Sequence, residues 1–182
     1  LGQFIPLHYH YQMLLDESRV AGFKESILRS VPTGGKVVEL GGGTGILSFF
    51  AAQRASKVWC VERNPQMVEA ARALLSKNGV SDRVEVVSAD AMAYCPPEEV
   101  DAVICEMLHS ALLREKQLQV IEAFKRNYRA RFGKLPATFI PEATILAVQP
   151  VEQAFDFHGY QAPIPLFFEP HNRETKTHAL TD

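Results

Sequence analysis

The stretch Val38-Glu39-Leu40-Gly41-Gly42-Gly43-Thr44-Gly45 decides how the rest of the chain is interpreted. An apolar run over residues 36–40 stops at the glycines and helical periodicity resumes at Ile46, which indicates a strand, a tight turn and a helix. Glycines in such a turn let the backbone approach a ligand closely without steric cost. Their spacing differs from the Gly-x-Gly-x-x-Gly of nicotinamide-dependent enzymes, and no Gly-Lys-Ser/Thr follows to make a phosphate-binding loop.

Strand and helix signals alternate on both sides of this turn. We predict strands over residues 36–40, 57–61, 83–87, 100–105 and 144–148, and helices over residues 12–28, 46–54, 65–77 and 111–131. The alternation predicts an α/β fold, a Rossmann-like, doubly wound and mostly parallel sheet with helices on both faces. We expect an N-terminal helical cap over residues 1–33, the sheet domain over 34–150, and a short β-rich or irregular extension, or a truncated second domain, over 151–182.

The composition is that of an ordinary folded domain. The chain has 182 residues, of which 47% are hydrophobic and 22% charged, with a formal net charge of −2. This charge makes RNA a less favoured partner, and the lack of an apolar run of about 18 residues predicts no membrane span. Three cysteines without Cys-x-x-Cys spacing predict neither a disulfide framework nor a metal site, and they indicate a reducing, cytoplasmic location.

Acidic residues stand where three successive strands are predicted to end, and ligands of such sheets bind at that edge. Glu39 and Glu62 occupy the ends of the first and second strands, and Asp90 follows the third. Glu62 can accept hydrogen bonds from both ribose hydroxyls of a nucleoside. Asp90 can accept from an adenine amino group while the neighbouring backbone, at Ala91, serves the ring. Acids beside a bare glycine turn suit a cationic nucleoside without phosphates, and S-adenosylmethionine fits this description.

These residues together resemble the motif series of class I S-adenosylmethionine-dependent methyltransferases. The resemblance rests on residues 38–45, on Val61-Glu62 and on Asp90-Ala91, and it covers residues 34–106. It implies S-adenosylmethionine as the cofactor, with Gly41 and Gly43 among the residues that bind it.

The segment after the fourth strand narrows the resemblance. Glu106-Met107-Leu108-His109-Ser110-Ala111-Leu112-Leu113-Arg114-Glu115 resembles the double-glutamate hairpin of protein arginine methyltransferases, with Met107 where that family has Trp and His109 where it has Gly. The resemblance implies that Glu106 and Glu115 are the catalytic pair and that Glu106 also borders the cofactor. Two carboxylates can hold the planar fork of a protonated guanidinium and aim one nitrogen at the methyl carbon.

A second stretch, His10-Tyr11-Gln12-Met13-Leu14-Leu15-Asp16-Glu17-Ser18-Arg19, is similar to the N-terminal helix of the same family. By this resemblance Arg19 pairs with the cofactor carboxylate and Met13 packs near the sulfonium. A third stretch, residues 139–144, is similar to the link that leads into that family's β-barrel. Residues 151–182 are too few for such a barrel, so we expect an incomplete or differently built substrate groove.

Three functions stay open on the sequence alone. The first is N-methylation of a protein arginine or a related guanidino or amine acceptor, so that the partner is a protein or small-molecule methyl acceptor. The second keeps the fold and changes the acceptor to RNA or another small molecule, because basic residues cluster between residues 114 and 134. The third is a non-catalytic, cofactor-binding partner subunit. The sequence leaves the oligomeric state open.

Overall fold

The structure is a computed structural model that describes residues 7–108, 115–146 and 156–161. The chain divides into two compact units, Leu1–Thr144 and Ile145–Asp182, and each is described here by itself. The predicted domain limits at residues 33 and 150 stay a prediction.

The first unit alternates helices and strands along the chain. Its elements are α1 (Leu7–Leu15), α2 (Glu17–Ser30), β1 (Lys36–Leu40), α3 (Ile46–Ala51), β2 (Lys57–Glu62), α4 (Pro65–Lys77), β3 (Val84–Ser88), β4 (Ala102–Ile104), α5 (Gln117–Phe132) and β5 (Thr138–Ile140). In the second unit, β6 (Asp156–Phe157) and β7 (Tyr160–Gln161) form an antiparallel pair.

The five strands of the first unit form one parallel sheet in the order β3-β2-β1-β4-β5. The chain starts at the central strand, builds outward to β3, and then crosses back to β4 on the other side of β1. Strand order reverses at β1 and β4, and in open α/β sheets the crevice at such a reversal is where ligands bind. The α/β fold predicted from the alternation of elements is therefore confirmed.

Each central strand sends alternate side chains to opposite faces of the sheet, because successive residues of a strand point in opposite directions. On β1, Val37 packs with Ile27 of α2 and Ala71 of α4. Val38, the next residue, packs with Phe124 of α5 on the other face. Both faces are covered, and all five of these residues are fully buried. The near-continuous apolar runs in the strands follow from this burial on two sides.

The glycine turn after β1 is held to the neighbouring strand. The backbone N–H groups of Gly41 and Gly42 both donate to the carbonyl oxygen of Val61, at 2.9 Å. Gly41 and Gly43 have φ angles of 76° and 53°, which side-chain-bearing residues rarely adopt. At Gly42 the constraint is space, since a Cβ placed there would lie 2.2 Å from the Sγ of Cys60.

Three predicted elements differ most from the structure, whereas others, such as α3 and β4, are only shorter than predicted. The helix predicted over residues 12–28 is two helices, because Asp16 caps α2 by accepting from the backbone N–H of Arg19 at 3.0 Å. The helix predicted from residue 111 begins at Gln117, after Lys116 takes a left-handed φ of 59°. The strand predicted over residues 144–148 is wrong for 144–146, which are irregular, and the last strand of the sheet is β5 instead. Residues 147–148 lie outside the described part of the chain.

The close approach of Gly42 to Cys60 predicts a stability effect. We expect Gly42→Ala to lower the free energy of unfolding by about 1–3 kcal/mol, because an added methyl group overfills a packed region. Gly22→Ala is the matched control. Nothing lies within 4 Å of a Cβ at Gly22, inside α2, so that change should raise stability by about 0.5–1 kcal/mol. Urea unfolding of both variants measures this, and a Gly42→Ala variant as stable as wild type would contradict the packing argument.

Candidate active site

A cleft opens at the carboxyl ends of β1, β2 and β4, and side chains from α1, α2 and the start of α5 complete its walls. The ten residues that the sequence predicts as site residues all line it: Met13, Arg19, Glu39, Gly41, Gly43, Glu62, Asp90, Ala91, Glu106 and Glu115. The structure thus brings together residues that lie as much as 102 positions apart, from Met13 to Glu115.

Glu39 is the most deeply buried acid of the cleft, with 3% of its surface exposed. Its Oε2 accepts from the backbone N–H of Ser48 at 2.9 Å and from the Ser48 hydroxyl. Burial raises the pKa of Glu39 to about 7, and the two hydrogen bonds from Ser48 oppose that rise. The carboxylate therefore ties the end of β1 to the first turns of α3, and the glycine turn is stretched between these two anchors.

Glu62 fixes the other side of the same turn. Its Oε2 accepts from the backbone N–H of Gly43 at 3.0 Å, and its Oε1 accepts from the backbone N–H of Asn64 at 2.7 Å. An ionised carboxylate has about four acceptor positions, so Glu62 can still accept from a ligand. Asn64 caps α4 by accepting from the N–H of Gln66, which confirms the predicted start of that helix.

Asp90 and Ala91 form the wall beyond β3. Asp90 Oδ1 accepts from the backbone N–H of Met92 at 2.9 Å, a local turn that holds the carboxylate at the rim of the cleft. Ala91 is buried, with 8% of its surface exposed. The small side chain at this position keeps the wall close to the sheet edge.

The N-terminal helices are joined to the cleft by Arg19. Its guanidinium forms an ion pair with Glu106 Oε2, and its Nη1 donates to the carbonyl oxygen of Met13 at 3.2 Å. Both partners of the ion pair are largely shielded, with side-chain exposures of 24% and 11%. One arginine of α2 thus contacts α1 and the first residue of the double-glutamate segment.

The double-glutamate segment starts at the end of β4. Glu106 Oε1 accepts from the backbone N–H of Leu108 at 3.2 Å, and the backbone N–H of Met107 donates to Gln117 Oε1 at 2.8 Å. Glu115 is half-buried and faces the cleft from the other end of the segment. His109, which the sequence comparison above marks as a departure from the family, lies outside the described residues.

Further residues line the cleft that the sequence did not single out for it. His10 of α1 lies beside the glycine turn, 3.1 Å from a Cβ placed at Gly43, and burial lowers its pKa. Besides the predicted Met13, the other three methionines of the chain also line the cleft: Met67, Met92 and Met107. Polarisable thioethers pack well against ring systems. His10 belongs to the motif at residues 10–19 and could have been predicted from it, whereas only the fold brings Met67, Met92 and Met107 to the cleft.

Comparison with known proteins decides the family. The sequence profile described as Methyltransferase domain matches residues 37–130, more than half of the chain. The chain belongs to this family. An uncharacterized protein of Methanothermobacter thermautotrophicus is 38% identical over 148 residues, which are 81% of this chain and 55% of that protein.

Two relatives carry functional names. Protein arginine N-methyltransferase 2 of Xenopus tropicalis is 36% identical over 124 residues, 66% of this chain and 28% of that enzyme. An arginine N(omega)-methyltransferase of Streptomyces achromogenes subsp. streptozoticus is 29% identical over 143 residues, 76% of this chain and 38% of that enzyme. The chain spans only 28% to 55% of the length of these three relatives.

Solved structures agree. The Trypanosoma brucei PRMT1 enzyme–prozyme heterotetrameric complex with AdoHcy (S-adenosylhomocysteine) matches with a TM-score of 0.59 and 30% identity, over 63% of this chain and 37% of that one. The chain is a class I, S-adenosylmethionine-dependent methyltransferase domain related to protein arginine methyltransferases. This confirms the family resemblance, the fold and the cofactor that the sequence predicts.

Within residues 7–108, 115–146 and 156–161, no helix is both long and apolar enough to cross a membrane. In the same ranges, no three His, Cys, Asp or Glu side chains are grouped closely enough to hold a metal ion.

The buried carboxyl of Glu39 predicts a pH dependence of stability. Its pKa is about 7 in the folded chain against an ordinary value of 4.5, so between these values the folded state binds more protons than the unfolded state. The contribution of Glu39 to stability is therefore greatest below pH 4.5, falls as the pH rises through this window, and is constant above pH 7.

Glu39→Gln isolates this contribution, because the amide stays neutral and keeps an oxygen that can accept from Ser48. The stability of the variant relative to wild type should increase from about pH 4 to about pH 8, by on the order of 1–3 kcal/mol. Urea unfolding across this range measures it, with the exposed Glu69→Gln as the control substitution. A constant difference between Glu39→Gln and wild type would refute the buried-carboxyl explanation.

Proposed function

We propose that this protein transfers the methyl group of S-adenosylmethionine to a nitrogen of a guanidino acceptor, a protein arginine or a related guanidino or amine compound. The observation that carries the proposal is the convergence of Glu106 and Glu115 on the cleft that also contains the glycine turn and Glu62. A cofactor subsite and a pair of acids for a cationic acceptor share one opening.

The residues of the cleft suit S-adenosylmethionine. A side chain at Gly41 would come within 3.1 Å of Met107, and one at Gly43 within 3.1 Å of His10, so the bare backbone of the turn is what lets these two side chains approach it from the cleft. We assign the ribose hydroxyls to Glu62, the adenine to Asp90 and Ala91, and the cofactor carboxylate to Arg19. Bound there, S-adenosylmethionine supplies an electrophilic methyl carbon on a positively charged sulfur.

Of the remaining assigned residues, Met13 is placed near the sulfur of the cofactor and Glu39 supports the glycine turn. Met13 lies on α1 and is joined through its carbonyl oxygen to Arg19, which places its side chain on that wall. Glu39 lies behind the glycine turn and acts through Ser48, so its part in binding is to hold Gly41 and Gly43 in place.

The two glutamates would orient the acceptor. A guanidinium carries its donors in one plane and stays protonated, so two carboxylates can grip it and leave one nitrogen facing the methyl carbon. Glu106 forms the ion pair with the guanidinium of Arg19 described above, and this supports its assignment as a partner for the same kind of group in an acceptor. Rate acceleration would come from proximity and from the negative charge beside the attacking nitrogen.

The same experiments also test other methyl acceptors. The Streptomyces relative is named for arginine itself, which favours testing the free amino acid beside peptides. RNA is less favoured, since Arg131 donates to the carbonyl oxygen of Pro97 and Lys134 pairs with Glu99, so part of the basic cluster has local partners.

A partner-subunit role would appear as cofactor binding without turnover. The three free thiols agree with the cytoplasmic location that we propose.

The acceptor role of the glutamates predicts a loss of turnover without a loss of cofactor. We expect Glu115→Gln and Glu106→Gln each to lower kcat by about 10²- to 10⁴-fold, because a neutral amide neither holds nor polarises a guanidinium as a carboxylate does. Labelled cofactor with an arginine peptide, its lysine counterpart and free arginine gives the rates. Glu122→Gln, on the exposed side of α5, is the matched control, and full transfer by both cleft variants would rule out the double-glutamate assignment.

The role of Glu62 predicts a loss of cofactor binding. Glu62→Gln should weaken binding of S-adenosylhomocysteine by about tenfold, since a charged acceptor of hydrogen bonds contributes about 1.5–3 kcal/mol. Isothermal titration calorimetry measures the dissociation constant, with the exposed Glu69→Gln as control. Unchanged affinity in Glu62→Gln would remove Glu62 from the cofactor subsite while leaving the acceptor assignment to be judged by its own experiment.

A further inference from the structure

Gln117 is a buried polar residue that does not line the cleft. It is the first residue of α5, two positions after Glu115, and 2% of its surface is exposed. A buried amide is costly unless it is hydrogen-bonded. Its Oε1 accepts from the backbone N–H of Met107, at 2.8 Å, and Met107 directly follows Glu106. The bond therefore joins the two ends of the segment that carries both glutamates.

The backbone around Gln117 is itself sharply defined. Lys116 has a φ of 59°, in the left-handed region that residues other than glycine rarely adopt, so the chain turns abruptly between Glu115 and α5. The helix then begins with the N–H of Val120 donating to the carbonyl oxygen of Lys116, at 3.0 Å. Gln117 directly follows this turn, and its side chain extends back to Met107, three residues after the end of β4.

Met107, the partner of this bond, is also in contact with the cofactor side of the cleft. Its Cγ and Sδ lie 3.1 Å from a Cβ placed at Gly41. On its other side, Met107 packs with the core cluster that contains Val120 and Phe124 of α5. A shift of the Met107 backbone would therefore move Glu106 and the wall above the glycine turn together.

We propose that Gln117 is a positioning residue for methyl transfer. By anchoring the N–H of Met107, it fixes the separation between Glu106 and Glu115, and with it the grip on the acceptor. The inference rests on the proposed function of the two glutamates. Gln117 touches neither acceptor nor cofactor, so its effect passes through Met107 and the backbone of the segment.

Three variants separate this role from general stability. Gln117→Met keeps the length and volume of the side chain and removes the acceptor, whereas Gln117→Glu keeps an oxygen that the Met107 N–H can bind. Gln119→Met makes the same chemical change at an exposed position of the same helix. If Gln117→Met does not fold, Gln117→Asn replaces it, because the amide is retained but is one methylene too short to reach Met107.

The kinetic expectation is a fall in kcat with the cofactor retained. We expect Gln117→Met to lower kcat by about tenfold or more, since small displacements of a positioning group are costly, while the dissociation constant of S-adenosylhomocysteine stays within about twofold. Gln117→Glu should recover most of that rate, and Gln119→Met should match wild type. A Gln117→Met variant with a lower Tm but wild-type kcat would overturn the proposal, as would loss of cofactor affinity in step with kcat.

A second readout does not depend on activity. Labelling with ¹⁵N-methionine gives signals from four backbone amides, one of which is Met107. Its hydrogen exchange should be slow in wild type, Gln117→Glu and Gln119→Met, and at least about tenfold faster in Gln117→Met. Fast exchange in wild type would refute the anchor. Slow exchange in a wild-type protein that methylates no guanidino compound would instead uphold the anchor and refute the proposed function.

Discussion

Two hydrogen bonds to one carbonyl oxygen, that of Val61, determine where the glycine turn lies. The N–H groups of Gly41 and Gly42 both donate to it, and Cys60 closes the space above Gly42. The turn is thereby fixed to β2 rather than left to its own flexibility, and Glu62 then holds Gly43 from the end of that strand. The rest of the cleft is arranged around this contact, because α1, α4 and the segment after β4 all pack against the turn or its anchors.

Three acids of the cleft differ in burial and in the groups that bind their carboxylates. Burial brings the pKa of Glu39 to about 7, so near neutral pH it is only partly ionised. Glu62 is held by two backbone N–H groups, and Glu106 by the guanidinium of Arg19. The acid that is only partly ionised therefore lies behind the glycine turn, and in the function that we propose Glu62 faces the nucleoside and Glu106 the acceptor.

The sequence predicted β1 and α4 to the residue, because an apolar run ended by glycines and an Asn-Pro cap are strong local signals. The strand-end acids Glu39, Glu62 and Asp90 were predicted to share the cleft because the carboxyl ends of parallel strands meet, whereas the resemblance to the family implied the other predicted cleft residues. The break at Asp16 was missed because helical periodicity continues across it, and β5 because three residues give too short a pattern. The role of Gln117 could not be predicted, because it depends on a hydrogen bond with the backbone N–H of Met107 that forms only in the folded chain.

The ion pair between Arg19 and Glu106 bears on which residues a shortened form of this chain must contain. The family profile matches residues 37–130, which include β2, β3, β4 and nearly all of β1 but neither α1, α2 nor β5. A fragment cut to that match would lack Arg19 and would leave the largely shielded carboxylate of Glu106 without its counter-charge. A fragment that keeps this ion pair therefore has to begin before α2, upstream of the residues that the family profile recognises.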